Sequence, residues 1–288
     1  MPARIRRPRP PAWHLTSGNK YLDDGKLYVA TFNADGSGIW TELNSANPAI
    51  AAAAYGFADQ ADVLINCRLD AANPRYYNDG EGRTGNPNGH IVRIHESGGD
   101  PSATGFNWDV YLFGAEDDQF GNASVNISGL TDDNNFSSPD GLWFSQAVPG
   151  LMWLQTDDGA YTDVTNCMML AALPGKYGDG GAVSVTNLAV PSNAGADQTV
   201  TTYAGTDATP ATLRRFLVGP KGCEITGITE TPDGKTIFVN IQHPGENTAA
   251  GDIAIPANYE SHWPDGGTAR PRSTTVVITK NDGGLIGA

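Results

Sequence analysis

The sequence predicts an all-β protein of many short strands, and three observations lead to this fold class. The chain is rich in turn-forming residues, with 35 Gly and 19 Pro among its 288 residues. Short runs of apolar and β-branched residues alternate with clusters of Gly, Asp and Asn. The segments 137–144 and 229–240 both contain a Pro-Asp-Gly triplet followed by a short apolar run. Repeated strand–turn units are typical of β-propeller blades, although a β-sandwich remains open from the spacing alone.

The predicted strands follow one another along the chain and end at turn residues. The runs 141–145 and 151–155 predict a hairpin around Pro149-Gly150. The alternation at 236–242 is that of a half-buried strand. Both Pro-Asp-Gly triplets are expected to be turns, because Asp bonds its own backbone in such a turn. The other predicted strands are 26–33, 90–95, 108–113, 215–218, 224–229 and 274–280.

Three segments depart from this pattern. Residues 1–18 are basic and rich in proline, which predicts a disordered arm ahead of a domain at 19–288. Residues 47–64 are rich in alanine and begin with an Asn-Pro pair, which predicts a short helix. Residues 177–210 are polar, with many Gly, Thr and Asn, and predict a loop inserted around this part of the domain.

The charge and the cysteine content exclude several classes of function. The formal net charge is −14, which argues against a nucleic-acid backbone as a partner. Loops rich in Asp suit an exported protein, or one that holds hard cations such as calcium. Cys67, Cys167 and Cys223 have the spacing neither of a zinc site nor of a disulfide framework. Cys167 and Cys223 are expected to be small buried hydrophobes.

No membrane span or export signal is predicted in the chain. No apolar run is long enough to cross a bilayer. Arg6 and Arg7 form the pair of a twin-arginine signal, but no apolar stretch follows them.

The candidate site residues are carboxylates and a histidine at predicted strand ends. The sequence has no GxSxG motif, P-loop, HExxH motif or CxxC pair, so nothing supports a serine or cysteine nucleophile. Calcium binds about six to eight oxygen ligands, and converging strand ends can supply them. Lys221, in a Gly-rich turn, is placed to face a phosphate as a point charge. The candidates are Asp140, Asp157, Asp158, Glu224, His243 and Glu246.

Each candidate also has a purely structural explanation. For Asp140 alone, a turn-forming role is the commoner one, and Asp233 in the second triplet is interpreted as structural. Asp157 and its neighbour suit a hairpin tip. Glu224 differs because it opens an apolar strand, where a carboxylate is costly unless it is paired or metal-bound. His243, beside Pro-Gly, is more often a satisfied polar residue than a ligand.

Several of these segments resemble PhoX-type alkaline phosphatases. The strongest resemblance is GPKGCEITGITETPDGKTIFVNIQHPGE at 219–246. The resemblance runs from about residue 19 to the C-terminus, and several independent blocks in the family's order make it specific. The other blocks are YLDDGKLYVATFNADGSGIWTEL, DAANPR, GHIVRIHE, SSPDGLWF, LQTDDG and SHWPDG…RPRSTTVVITK.

The resemblance implies a β-propeller, here an incomplete part of a six-bladed ring, that hydrolyses small phosphomonoesters. Calcium and ferric ions serve as cofactors in the family, whose full-length members are monomers. They are exported by the twin-arginine route to the periplasm or the extracellular space. Glu224 matches the glutamate of the family's Gly-Pro-x-Gly-x-Glu motif, which faces the metals. Asp140 and Asp157 are carried over as metal ligands, and Lys221 and His243 as catalytic residues.

The chain also departs from the family's pattern. Family members are expected to be about twice as long, with Asn-His-Glu and Thr-Cys-Glu-Glu segments that supply iron ligands and are absent here. Leu69 runs directly into Asp70, where a Met-Asp-Arg-Pro-Glu stretch is expected, which predicts an internal deletion. The resemblance therefore implies a truncated ring of blades without its iron site. We expect weak calcium binding and near-zero turnover.

Two other functions remain open on the sequence. A propeller can bind a ligand or partner without catalysis, because fold alone does not set function. A calcium-dependent lactonase-like or esterase-like propeller would use similar carboxylates on carboxylic esters. Phosphate release with bound iron favours the phosphatase, whereas ester cleavage with calcium alone favours the lactonase.

Overall fold

The protein is all-β in a computed structural model, as the sequence predicts. The structure describes residues 19–21, 27–33, 35–42, 88–115, 126–157, 166–187 and 198–288. Within these ranges there are fourteen strands, three single-turn 3-10 helices and no α-helix. The predicted arm at 1–18 and the predicted helix at 47–64 lie outside the described residues. No helix in the described ranges has the length and apolar character needed to cross a membrane.

The strands, numbered in chain order, form three sheets. They are β1 (Asn19–Tyr21), β2 (Leu27–Phe32), β3 (Ser37–Glu42), β4 (His90–Glu96), β5 (Gly105–Phe113), β6 (Pro139–Phe144), β7 (Met152–Thr156), β8 (Met168–Ala172), β9 (Gly181–Asn187), β10 (Gln198–Ala204), β11 (Leu213–Val218), β12 (Glu224–Glu230), β13 (Thr236–Gln242) and β14 (Thr274–Thr279). The first sheet has the order β1-β2-β3-β5-β10-β9, with β4 also paired to β5. The second is β11-β8-β7-β6 and the third is β12-β13-β14. None of the three closes on itself within the described residues.

Two strand predictions that matter for the site are confirmed. The runs 141–145 and 151–155 form the β6–β7 hairpin, which is antiparallel. The run 236–242 is β13, between β12 and β14 in the third sheet. Its predicted alternation is that of a strand with one buried face, and the residues on that face are Ile237, Val239 and Ile241.

The described part of the polar segment 177–210 is not a loop, so this prediction is wrong there. It contains β9 and β10, which pair with each other, while β10 runs parallel to β5. The two strands are polar but rich in β-branched residues, which favour an extended backbone. Val185 and Thr202 are buried, so packing as well as hydrogen bonding holds the pair in place. That the segment is an insertion stays a prediction.

The two Pro-Asp-Gly triplets have different structures. In the second, the Gly234 N–H donates to the Thr231 carbonyl at 2.9 Å, which closes the predicted turn. The first, at 139–141, opens the edge strand β6 with a break in its register, so the prediction of a turn is wrong here. Proline is tolerated at the first residue of an edge strand because its missing N–H leaves no ladder bond unmade. Asp140 is left exposed at this end of the hairpin.

The second and third sheets pack together around one apolar core. Trp153 on β7 is fully buried in this core with Ile225 on β12 and Val239 on β13. Cys167 and Cys223 lie in the same core, as predicted, and burial raises the pKa of the Cys223 thiol to about 12. Truncating a buried Trp to Ala costs about 3–5 kcal/mol, so this packing holds β7 and β12 firmly together.

A buried arginine fastens the first sheet to a neighbouring loop. Arg93 on β4 is 1% exposed, and its Nε and Nη2 donate to Asp109 at 2.7 and 2.6 Å. Its Nη1 and Nη2 donate to Asp179 at 2.9 and 2.7 Å, and Nη1 also donates to the Pro174 carbonyl at 2.7 Å. Burial opposes ionisation of Asp179, but the hydrogen bonds and charge of Arg93 hold its pKa below the usual value. A buried charge is tolerable only with such complete pairing.

Candidate functional site

Four of the five residues that the family resemblance identifies as site residues lie where two hairpins meet. Asp140 is the second residue of β6, and Asp157 directly follows β7. Glu224 opens β12, and His243 directly follows β13. Both hairpins are antiparallel, so the start of one strand lies beside the end of its partner. The topology therefore gathers residues that are up to about a hundred positions apart in the sequence.

Hydrogen bonds fix the two hairpins against each other. Gln155 Nε2 on β7 donates to the Gly227 carbonyl on β12 at 3.2 Å. Gly227 has a positive φ of 55° and lies where the register of β12 shifts, which turns its carbonyl out of the regular ladder. The Asp157 N–H donates to the Ser138 carbonyl at 3.1 Å and holds the end of β7 beside the start of β6.

Glu224 is the buried carboxylate of this group. It is 7% exposed, and its Oε2 accepts a hydrogen bond from Gln242 Nε2 at 2.5 Å. Burial raises the pKa of Glu224, and the negative charges of Asp157 and Asp140 raise it further. Ionised Glu224 is therefore costly in this position, and a bound cation would relieve that cost.

Asp140 and Asp157 are the exposed partners of Glu224. Both side chains are exposed, and their negative charges contribute to the raised pKa of Glu224. We call Asp140, Asp157 and Glu224 the carboxylate cluster. Like charges held together in this way are common at sites that bind a metal or a proton.

His243 connects the carboxylate cluster to a further glutamate. Its Nε2 lies 3.5 Å from Glu224 Oε2, and its Nδ1 lies 3.0 Å from Glu246 Oε2. The His243 backbone has a φ of 35°, which is uncommon for a residue other than glycine. Its N–H donates to Ser273 Oγ at 2.9 Å, which helps to hold this conformation. Strained residues of this kind cluster at functional sites, and an imidazole between two carboxylates can carry a proton.

Lys221, the fifth of these residues, lies in the turn before β12. Its Nζ lies 3.7 Å from Glu260 Oε1, and its side chain is 60% exposed. Its backbone carbonyl accepts a hydrogen bond from the Gly245 N–H at 2.9 Å, which joins the turn before β12 to the turn after β13. We call these turns, 219–223 and 243–246, the paired turns. They support Glu224 and His243 from one side.

A glycine is required within the paired turns. Gly222 has a φ of +63°, and a Cβ at this position would lie 2.4 Å from Glu260 Oε2. Only glycine adopts this backbone conformation at no steric cost. The Gly222 carbonyl also accepts a hydrogen bond from the Glu246 N–H at 3.3 Å, so this residue takes part in the joining of the turns.

The carboxylate cluster has the donor chemistry of a calcium site. Its donors are carboxylate oxygens, which hard cations prefer. Cys223 does not contribute a thiolate ligand to this cluster, because its side chain is buried in the apolar core. Among the residues that the structure describes, no three His, Cys, Asp or Glu side chains are arranged to hold a metal ion by themselves. Calcium also accepts backbone carbonyls and waters as ligands, so the cluster fits it as part of a larger ligand set.

Sequence reasoning missed two polar residues that contact the predicted site. Gln242 donates to Glu224, and Glu260 pairs with Lys221. A signal for Gln242 was present, because antiparallel pairing sets the last residue of β13 opposite the first residue of β12. The sequence contains no comparable signal for Glu260, because this residue belongs to an irregular loop whose path the sequence pattern does not predict. The candidate Asp158 lies outside the described residues.

The sequence of this chain matches a known protein family. The sequence profile described as "Alkaline phosphatase PhoX" matches residues 71–245, which is more than half of the chain. This chain is a member of the PhoX alkaline phosphatase family. The matched range includes the whole carboxylate cluster together with Lys221 and His243. The resemblance seen in the sequence is thus confirmed.

A solved PhoX structure is similar to this chain over almost all of its length. It is "Pseudomonas fluorescens PhoX in complex with vanadate, a transition state analogue", at 30% sequence identity and a TM-score of 0.57. The match covers 92% of this chain and 46% of that chain, so the chain spans about half the length of this PhoX relative. A comparison with curated proteins found no match.

Proposed function

We propose that this chain carries part of the active site of a PhoX-type phosphomonoesterase, which releases inorganic phosphate from small phosphoesters. Membership of the PhoX family supports the class of reaction. The observation that carries the proposal is the placement of Asp140 and Asp157 at one end of the β6–β7 hairpin, which is hydrogen-bonded to the strand that begins with the buried Glu224, inside the matched range. The PhoX relative was solved with a transition state analogue, vanadate, which is consistent with phosphoryl chemistry in the family.

In this proposal Glu224, Asp140 and Asp157 are calcium ligands. Bound calcium supplies positive charge for the phosphoryl oxygens and favours an ionised oxygen nucleophile. His243, whose ring nitrogens lie near Glu224 and Glu246, is the candidate group for proton transfer to the leaving oxygen. Lys221 is exposed and its ion pair with Glu260 is long, so its ammonium group is available to a phosphate.

The architecture proposed for this function is part of a six-bladed β-propeller within a domain at 19–288. The second sheet and the third sheet each consist of antiparallel strands, as propeller blades do. Because the match covers 46% of the PhoX relative, we propose that the iron ligands of the family lie in its unmatched part. We also propose an internal deletion between Leu69 and Asp70. Turnover by this chain alone should then be slow.

The proposed setting is the periplasm or the extracellular space, where the protein acts as a monomer on small phosphoesters. The net charge of −14 supports a solvated protein in a calcium-containing compartment. The same charge argues against a nucleic acid as partner.

Hydrolysis of two chromogenic substrates tests the proposal. The purified chain is supplied with calcium and ferric ions and assayed with p-nitrophenyl phosphate and with p-nitrophenyl acetate. Slow phosphate release that requires metal and is lost in Glu224→Gln supports the proposal. Asp233→Asn is the control, because Asp233 lies in the turn at the other end of the β12–β13 hairpin and accepts local hydrogen bonds there.

Three other outcomes decide against parts of this proposal. Ester cleavage with calcium alone would identify a lactonase-like enzyme. Neither reaction, with calcium bound, would identify a non-catalytic binding module. Turnover in the ordinary enzyme range of about 1–1,000 per second would show that this chain needs no further metal ligands.

A further inference from the structure

A depression lies beside His243 and is lined by residues outside the carboxylate cluster. Its volume is about 280 Å³. It is formed by the turn after β13 together with residues 270–273, which precede β14. Its polar lining includes His243, Glu246, Thr248, Arg270, Arg272 and Ser273.

Two guanidinium groups line this depression. The exposed Arg270 side chain has no hydrogen bond or ion pair in the part of the chain that the structure describes. Arg272 donates from Nε and Nη2 to Asp265 at 3.0 Å each, and no described residue accepts from its Nη1. Two such groups in one depression stand out in a chain with a net charge of −14. Guanidinium groups match the geometry of phosphate oxygens, often with two parallel hydrogen bonds.

Other groups in the depression suit a small organic anion. Ser273 Oγ accepts from the His243 N–H at 2.9 Å, so its own hydroxyl hydrogen is available to a ligand. Tyr259 donates to the Ile253 carbonyl at 2.8 Å, which fixes its ring as part of the apolar wall. The carboxylate of the lining, Glu246, is directed to His243 at 3.0 Å. The depression therefore offers a hydroxyl donor, an apolar surface and the guanidinium group of Arg270, which is unpaired within the described residues.

We propose that this depression binds a second anionic group of the substrate, one that is not cleaved. His243 lines the depression together with the two arginines and also lies 3.5 Å from Glu224, so the depression borders the carboxylate cluster. A ligand that contacts both Arg270 and a calcium ion held by the carboxylate cluster must carry two anionic groups, one for each contact. The preferred substrates are then small phosphoesters with a second phosphate or a carboxylate. This preference rests on the proposed function, but anion binding by Arg270 does not.

Anion binding is measured first, without metal and without hydrolysis. The chain is treated with EDTA and titrated with inorganic phosphate by isothermal titration calorimetry. Arg270→Gln should weaken phosphate binding by about fivefold or more, because it removes a charge-assisted contact. Arg214→Gln should leave it unchanged, since Arg214 is an exposed arginine on β11 that bonds the Pro210 carbonyl. Equal binding by Arg270→Gln and the unmodified chain would overturn the proposal, as would no phosphate binding at millimolar concentration.

Chemical labelling of the unmodified chain keeps the proposal testable if Arg270→Gln does not fold. The chain is modified with phenylglyoxal, and the labelled arginine peptides are quantified by mass spectrometry. Phosphate should protect Arg270 and leave the labelling of Arg214 unchanged. Equal labelling of Arg270 with and without phosphate would overturn the proposal.

The substrate class is tested by comparing two sugar phosphates in the presence of calcium. Fructose 1,6-bisphosphate should bind about tenfold more tightly than fructose 6-phosphate, and Arg270→Gln should remove most of this difference. An unchanged ratio in the variant would contradict a role for Arg270 with the second anion. These are binding measurements, so a chain that prefers the bisphosphate but hydrolyses nothing would retain this inference and contradict the proposed function.

Discussion

Glu224 is the residue at which the sequence and the structure point most clearly to chemistry. A carboxylate at the start of an apolar strand has to be paired, protonated or metal-bound. In the structure, Glu224 accepts a hydrogen bond from Gln242. Burial raises its pKa, and the negative charges of Asp157 and Asp140 raise it further. The ionised carboxylate of Glu224 therefore destabilises the folded protein, and a neutral amide side chain at this position would not.

Replacing Glu224 by Gln should stabilise the metal-free protein at neutral pH. The pKa of Glu224 is higher in the folded than in the unfolded chain, so its ionisation opposes folding as pH rises through the folded value. The urea midpoint of Glu224→Gln should thus exceed that of the unmodified chain at pH 7.5 in EGTA. The difference should disappear below about pH 4, where the unmodified side chain is protonated in both states. A variant that is less stable at pH 7.5 would contradict this account of Glu224.

The paired turns are the elements that place Glu224 and His243 side by side. They begin and end the β12–β13 hairpin, and backbone hydrogen bonds from Gly245 and Glu246 join them. Their geometry depends on the left-handed backbone of Gly222, which also makes room for Glu260. A change in this turn should affect both the stability of the hairpin and the site that it carries.

Replacing Gly222 by Ala should destabilise the protein by more than the conformational cost alone. Forcing a left-handed residue costs about 1–2 kcal/mol, and here the Cβ also meets Glu260. Gly150→Ala is the matched control, because Gly150 has a φ of +85° but nothing within 4 Å of its Cβ position. Denaturant unfolding of both variants measures the difference. Equal losses in the two variants would show that contact with Glu260 has no energetic consequence.

Replacing Arg93 by Met should destabilise the first sheet strongly. The change leaves the buried carboxylate of Asp109 without its charged partner, and breaking a buried pair costs about 3–5 kcal/mol. Arg272→Met is the control for the same type of pair on the surface, with Asp265, where the loss should be under about 1 kcal/mol. Urea unfolding at pH 7 measures both. Similar losses for the two variants would contradict the role of Arg93 in fastening the loop.

The sequence predicted elements better where packing and local pattern agree. The alternation of 236–242 identified β13 because its buried face is apolar. The polar strands β9 and β10 were mistaken for a loop because their burial depends on a sheet formed by distant strands. The triplet at 139–141 was mistaken for a turn because a strand tolerates proline only at certain positions, such as the edge of a sheet. Whether a strand lies at an edge depends on the tertiary structure and is not visible in the local sequence. The candidate site was predicted as a set of residues, but their convergence depends on the packing of two hairpins.

At the scale of the whole molecule, the chain is an all-β member of the PhoX family that spans about half of its solved relative. Its second and third sheets share one apolar core, and the carboxylate cluster lies where their hairpins meet. That shared core holds the hairpin of Asp140 and Asp157 against the strand that begins with Glu224, and the proposed site depends on this packing. A ligand that binds the folded cluster should therefore stabilise the whole chain.

Calcium titration calorimetry of the unmodified chain, Glu224→Gln and Asp233→Asn tests the central claim most directly. The carboxylate cluster should bind calcium in the unmodified chain and in Asp233→Asn. In Glu224→Gln the affinity should fall by about tenfold or more, since the buried ligand is lost. Calcium should also raise the melting temperature of the first two proteins but not of the third. Equal calcium affinity in Glu224→Gln and the unmodified chain would contradict the claim that this cluster is a metal site.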